Sequence, residues 1–287
     1  MATGTTEFID NTTAEVFIPE KWSQDAIVAR KQRVVFAGLV NTQYKAELNV
    51  GDTLHVPSRG HMTQRTKSAN AAITYETITE TNTDITVTTH NYSALAVESI
   101  TKLQANRDLQ RFYADEMGYV LDLAVDDALA ALIDAFTQTV GTLAAALSYA
   151  DLLESTQLLD DANAPQENRV VVISPAEKAN VMQLDHFINN DYDGLRSGGM
   201  NFKPGDRLPI GTWMGMPIYV TTNVDGSNAA GHDNVMMHHE ALALVQQMMP
   251  MFHTQYDIDY FCDKVAAEQV YGVKEMRDDH GVWLKAA

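Results

Sequence analysis

One uninterrupted helical stretch constrains this chain most: Arg107 to Phe136, RDLQRFYADEMGYVLDLAVDDALAALIDAF. It holds no proline and one glycine, Gly118. Leu109, Phe112, Tyr113, Val120, Ala124, Ala128 and Ile133 recur at three- and four-residue steps, the spacing of one helix face. Asp108 is the expected cap, and strong helix formers fill the interior. At 1.5 Å per residue such a helix spans roughly 45 Å, the full width of an ordinary domain. Asp115, Glu116, Asp122, Asp126, Asp127 and Asp134 are expected to make its outer surface acidic. The rest of the fold must lie along this spine, and something must dock on its anionic flank.

Charge narrows what that something is. Over 287 residues there are 38 Asp+Glu against 20 Lys+Arg, a net charge of -18. An excess of this sign disfavours binding to nucleic-acid phosphates and to anionic lipid. The excess is uneven: residues 1–100 hold 8 basic and 11 acidic side chains, whereas residues 101–170 hold 4 and 12. Regions of unlike charge in one chain suit self-association. Hydrophobic content of 45% suffices for one large core or two modest ones. Cys262, the one cysteine, excludes an internal disulfide and a thiolate metal cluster, so a reducing compartment is expected. With no basic residue before Lys21 and no long apolar run, neither a signal peptide nor a membrane span is expected. The reading is a soluble, cytosolic chain.

Residues 1–17 are Thr-rich and read as an extended arm. FIPEKWSQDAIVARKQRVVFAGLVN predicts a helix, with Pro19 in its first turn, Glu20 at its positive end and Gly38 as its stop. From Val50 the period changes to two. GDTLHVP predicts a short strand closed by Pro57, and Ser58 to Ala72 is polar, with Arg59, Arg65 and Lys67 but no acid. ITYETITETNTDITVTTHNYSALAVE then alternates again. Two strands around a polar excursion predict a protruding hairpin, too poor in apolar residues to stand alone. Its cationic tip complements the acidic helix of another subunit.

Beyond the long helix, Gly141 breaks the pattern and SYADLLESTQLLDDANAP predicts a second helix, capped by Ser148 and ended before Pro165. Arg169 to Ser174 predicts an apolar strand that runs through Pro175 into a helix from Ala176 to about Phe187. Residues 189–211 and 223–233 read as polar loops. Trp213 to Thr222 reads as a strand bent or bulged at Gly215 and Pro217. His239 to Met249 fits helix and strand alike, and from Phe252 the chain alternates as strands to its end.

No catalytic constellation emerges. Asn189 to Gly194 imitates half of a calcium loop, but Met200 stands where the bidentate Glu belongs, so it reads as a flexible acidic loop. His232, His238, His239 and His253, with Asp233 and Glu240, are the best material for a hydrolytic metal site. The adjacent His238 and His239 cannot share a helix face, and no His-Glu-x-x-His or His-x-His spacing occurs. Ser174 before Pro175 lacks the flanking glycines of a nucleophile elbow, and phosphate-binding glycine motifs are absent. No catalytic residue, cofactor or metal is expected. A metal-dependent hydrolase built on residues 232–253 is the alternative of a different class.

The order of parts resembles the major capsid proteins of tailed bacteriophages, which have the Hong Kong 97-type fold. FIPEKWSQDAIVARKQRVVFAGLVN followed by GDTLHVPSRG resembles the start of many short coat proteins. VVISPAEKANVM resembles the strand–Pro–helix of the family's axial domain, and GTWMGMPIYVTTNV its Gly-x-x-x-Gly-x-Pro strand. HHEALALVQQ and VYGVKEMRDDHGVWL resemble its C-terminal return.

The resemblance spans the chain from Phe17 and implies an α+β fold. Residues 1–48 would be the N-terminal arm and first helix, and 49–92 the extended β-hairpin loop. A peripheral domain would comprise 93–140 and 241–287, with residues 107–136 as its spine helix, and 141–240 would be the axial domain. The implied function is a coat protein that self-assembles into pentamers and hexamers of an icosahedral phage head enclosing double-stranded DNA. It would assemble in the host cytoplasm, with a separate scaffolding protein, a portal and a decoration protein as partners. Some members crosslink through Lys and Asn; Lys67 and Asn70 match no such motif, and a noncovalent shell is expected. The inter-subunit contact would run from Arg59, Arg65 and Lys67 to Asp115, Glu116, Asp122 and Asp126. An encapsulin-like nanocompartment, which shares the fold, is the same-class alternative.

Overall fold

A computed structural model describes residues 31, 34–46, 48, 51–60, 62–78, 80–99, 109–143, 145–184, 211–227 and 230–286. The arm of residues 1–17, most of the helix expected from Pro19, the Asp108 cap and the loop at 189–210 with its calcium-like sequence lie outside these residues. Where that helix is expected to end at Gly38, the chain forms a 3-10 turn, Phe36–Gly38. Residues 32–287 form one unit by contact. In chain order the strands are β1 (Thr53–Arg59), β2 (Glu80–Thr86), β3 (Thr89–Glu98), β4 (Thr139–Gly141), β5 (Arg169–Ile173) and β6 (Gly211–Trp213). They continue with β7 (Met216–Val220), β8 (Gly226–Ser227), β9 (Gly231–His238), β10 (Leu242–Asp257), β11 (Cys262–Glu275) and β12 (Gly281–Ala286). The helices are α1 (Leu109–Ala130), α2 (Tyr149–Asp161) and α3 (Pro175–Val181).

Every residue of β5 is buried, which is what a near-continuous apolar run requires when both faces of its sheet are covered. Val170 and Val172 face the core of α1, and Val171 and Ile173 the core of α2 and α3. Around β5 runs a seven-stranded sheet of order β4-β12-β9-β5-β7-β6, with β8 beside β9. Arg169 is the exception to the apolar run. Its buried guanidinium meets Asp160 at 2.7 Å and donates to the carbonyls of Ala164 and Pro165, fastening the end of α2. Ser148 caps α2 as expected, in a reciprocal capping box with Asp151.

The long helix differs from expectation in length and in face. It ends at Ala130, about 33 Å from its start, and gives way to a 3-10 turn over Ile133–Ala135. That tightening swings Ile133 and Phe136 into the core, where the Phe136 ring occupies the space over Gly281 that a Cβ would fill at 2.3 Å. Its buried stripe is Met117, Leu121, Val125 and Leu129. Tyr113 and Val120, expected on the core face, are 41% and 44% exposed.

Three further readings change. The helix expected to reach Phe187 stops at Val181, and the bulge expected in Trp213 to Thr222 is a hairpin. Its turn residues, Met214 and Gly215, both have positive φ, as a two-residue hairpin turn demands. The loop expected at 223–233 contains β8 and the start of β9, and buries Val224. Of the stretch His239 to Met249, residues 239–241 form a turn and the rest is strand from Leu242. β10 and β11 pair over most of their length, and β3 flanks β11 in a three-stranded sheet. Met117 and Leu121 of α1 pack on Val265 and Ala267 of that sheet. β12 and β4 pair into the sheet of β5, β7 and β9.

Candidate functional site

Sequence alternation puts β1 and β2 in antiparallel register, from Thr53 opposite Thr86 to Arg59 opposite Glu80. At the root of this hairpin Leu48, Ile85 and Val87 pack on Ala243 and Val245 of β10. Gly272 of β11 lets the root pass, since a Cβ there would lie 2.4 Å from the Thr86 carbonyl oxygen. Beyond the paired strands the chain extends through residues 60–78. Glu76 accepts from both Thr63 N–H and Thr63 Oγ1, bonds that hold its carboxyl below the usual range. Met62, Ile73, Tyr75 and Ile78 are exposed on this loop, Tyr75 by 86%.

Arg59, Arg65 and Lys67 are all exposed, and among the described residues none is in an ion pair. Arg59 stands directly across from Glu80, so the surplus positive charge of the arm rests on Arg65 and Lys67. On α1, Asp115 and Asp122 are exposed and Glu116 is half-buried. Asp126 is a correction: it is fully buried and cannot belong to a docking surface. It accepts from the Val35 and Ala37 N–H groups at 3.1 Å and from Asn223 Nδ2 at 2.9 Å. Its neighbour Asp127 has a raised pKa, first through burial and then through Asp126 and Asp225.

The histidine-rich segment does not converge. His232 and Asp233 open β9, and Trp283 Nε1 donates to Asp233 at 3.0 Å. His253 lies on β10, where it and His90 each bond one oxygen of Glu268, pulling that carboxyl's pKa down. The structure instead brings His238 and Glu240 together with His280, which ends a 3-10 turn just before β12. Burial lowers the pKa of both imidazoles. Sequence reading missed His280, because nothing in its spacing from His238 signals contact. It also missed the far end of the β10–β11 pair. There Tyr256, Ile258, Tyr260 and Phe261 are exposed, and Phe261 adopts positive φ while its carbonyl accepts from Ser99 N–H and Oγ.

No helix among the described residues is long and apolar enough to cross a membrane. No protein-family model matches the chain, and no curated protein matches it in sequence. Solved structures do match. One, from Mycobacterium phage Che8, is 25% identical with a TM-score of 0.77, covering 93% of this chain and 97% of its own. The capsid structure of cyanophage P-SCSP1u is 17% identical with a TM-score of 0.76, covering 99% and 95%. The capsid of a native GTA particle is 11% identical with a TM-score of 0.70, covering 99% and 100%. Two sheets, a long helix and a projecting hairpin thus superpose on phage capsid structures over nearly their whole length: this chain has a phage-capsid fold.

Proposed function

We propose that the chain is the major capsid protein of a tailed bacteriophage, with the Hong Kong 97-type fold, self-assembling into the icosahedral shell of the head. The observation that carries this reading is the match to capsid structures end to end, with coverage of 95% or more of both chains for the cyanophage capsid. Its role is structural rather than catalytic. Pentamers and hexamers enclose double-stranded DNA without reading its sequence, and the shell forms in the host cytoplasm with a separate scaffolding protein, a portal and a decoration protein. Residues 1–48 act as arm and first helix and 49–92 as the extended loop. Residues 93–140 and 241–287 act as the peripheral domain, and 141–240 as the axial domain. Many weak contacts, multiplied by closed symmetry, supply the binding energy.

Two features support the arm as an inter-subunit element. Its Met62, Ile73 and Tyr75 are exposed, at 72%, 56% and 86%. Its cations, Arg65 and Lys67 with Arg59, complement Asp115, Glu116 and Asp122 on a neighbouring copy. Sedimentation of the expressed protein tests the function: rapidly sedimenting, megadalton particles are expected, and a protein that stays monomeric or dimeric with its scaffolding protein present contradicts it.

A further inference from the structure

We propose that His238, Glu240 and His280 form a binding site for a divalent transition-metal ion of zinc's chemistry, fastening the C-terminal return strand to β9. One donor atom from each residue lies within 4.8 Å of the other two. The three come from separate pieces of backbone: His238 ends β9, Glu240 sits in the turn to β10, and His280 precedes β12. That frame is braced, since Ala241 N–H donates to the His238 carbonyl at 2.9 Å and Met276 N–H to the Ala241 carbonyl at 2.8 Å.

Both imidazoles are buried, His238 2% exposed and His280 5%, and their rings cross at 84° with centroids 5.7 Å apart. His280 Nδ1 is buried without a hydrogen-bond partner, a state that native interiors avoid. Its other nitrogen, Nε2, lies 4.0 Å from Asp279 Oδ1. That distance is too long for a hydrogen bond, and Nδ1 is the buried nitrogen left without a partner. His238 Nδ1 accepts only a long bond, 3.3 Å, from Glu240 N–H, so little is lost if this nitrogen turns to the ion.

Two neutral imidazoles and one carboxylate are a donor set that zinc takes in four-coordinate sites. Bonds near 2.1 Å place such donors about 3.4 Å apart, so the present spread of up to 4.8 Å closes by small side-chain movements. Glu240 is the one half-exposed member and the one with a flexible stem. Arg277 Nε, 3.8 Å from its carboxylate, offsets its charge in the meantime. His239 stacks edge-on against His238 at 4.8 Å and stands outside the set.

The test titrates zinc chloride into the full chain after treatment with a chelator, following bound metal, heat and Tm. One zinc per chain and a raised Tm are expected. Glu240→Gln, at a half-exposed position that folding tolerates, should weaken binding by more than the roughly 10- to 100-fold that an outer-shell partner is worth. His280→Gln should weaken it likewise, and His90→Gln, in the three-stranded sheet, should leave it unchanged. Absence of bound zinc at micromolar concentration, or equal binding by wild type and Glu240→Gln, overturns the proposal.

Discussion

A carboxylate among apolar side chains is tolerated where donors surround it. Asp126 meets that condition with two backbone N–H groups and Asn223 Nδ2, and so ties residues 35–37 and the loop at 223 to α1. Asp126→Ala leaves those donors buried and unmet, and should lower stability by about 3 kcal/mol in urea denaturation. The exposed Asp134→Ala should change it by no more than about 0.5 kcal/mol. Asp233 is the opposite case. Burial raises its pKa above 3.8, the hydrogen bond from Trp283 opposes the rise, and Asp225 and Asp134 add to it. The folded state therefore holds this proton more tightly than the unfolded chain does. The stability that protonation contributes is full below 3.8 and is lost as pH rises through the raised value. Asp233→Asn, which keeps an acceptor for Trp283, should raise Tm at neutral pH, with the gain fading as pH falls toward 3.8. An equal gain at both ends of that range would refute the assignment.

Among the elements, the hairpin and the long helix were legible to different depths. The switch to a period of two at Val50 and the acid-free tip located β1, β2 and their loop, because strand alternation and polarity are local properties. Helix α1 was legible as a helix, but it carries two apolar stripes about 100° apart. Only partners far away in sequence select the buried stripe over Tyr113 and Val120: the three-stranded sheet takes Met117 and Leu121, and the core around Phe36, Val170 and Val172 takes Val125 and Leu129. Asp126 sits beside Val125 and four residues before the buried Ala130, a signal of burial that its charge concealed. The end of α1 was hidden for a similar reason, since Ile133 and Phe136 leave the helical path for a core that local propensity does not encode. Leu121→Ala should accordingly cost about 3 kcal/mol, whereas Val120→Ala should stay within about 0.5 kcal/mol. Equal costs would show that the face is misassigned. For the arm, changing Arg59, Arg65 and Lys67 together to Glu should abolish rapidly sedimenting particles while leaving the circular dichroism and Tm of the subunit intact. Normal particles from that variant would remove the arm's charge from the account.

At the scale of the whole molecule, the chain joins a doubly covered seven-stranded sheet to a three-stranded sheet backed by α1, and Leu242 and Leu244 of β10 and Tyr271 of β11 share a core with Val170 and Val172 of β5. Among the described residues, apolar side chains remain exposed on the arm and around the turn that joins β10 to β11. Exposed apolar surface of this kind suits a subunit completed by its neighbours. What sequence alone did not disclose were the pairings that close the molecule, β12 with β9 and His280 with His238, because both join segments distant in the chain. Electron microscopy of particles formed by the chain together with its scaffolding protein tests the central claim most directly. The account predicts closed icosahedral shells of pentamers and hexamers in which residues 62–78 of each copy lie against a neighbour. Small discrete oligomers, or shells in which that segment meets no other subunit, would contradict it.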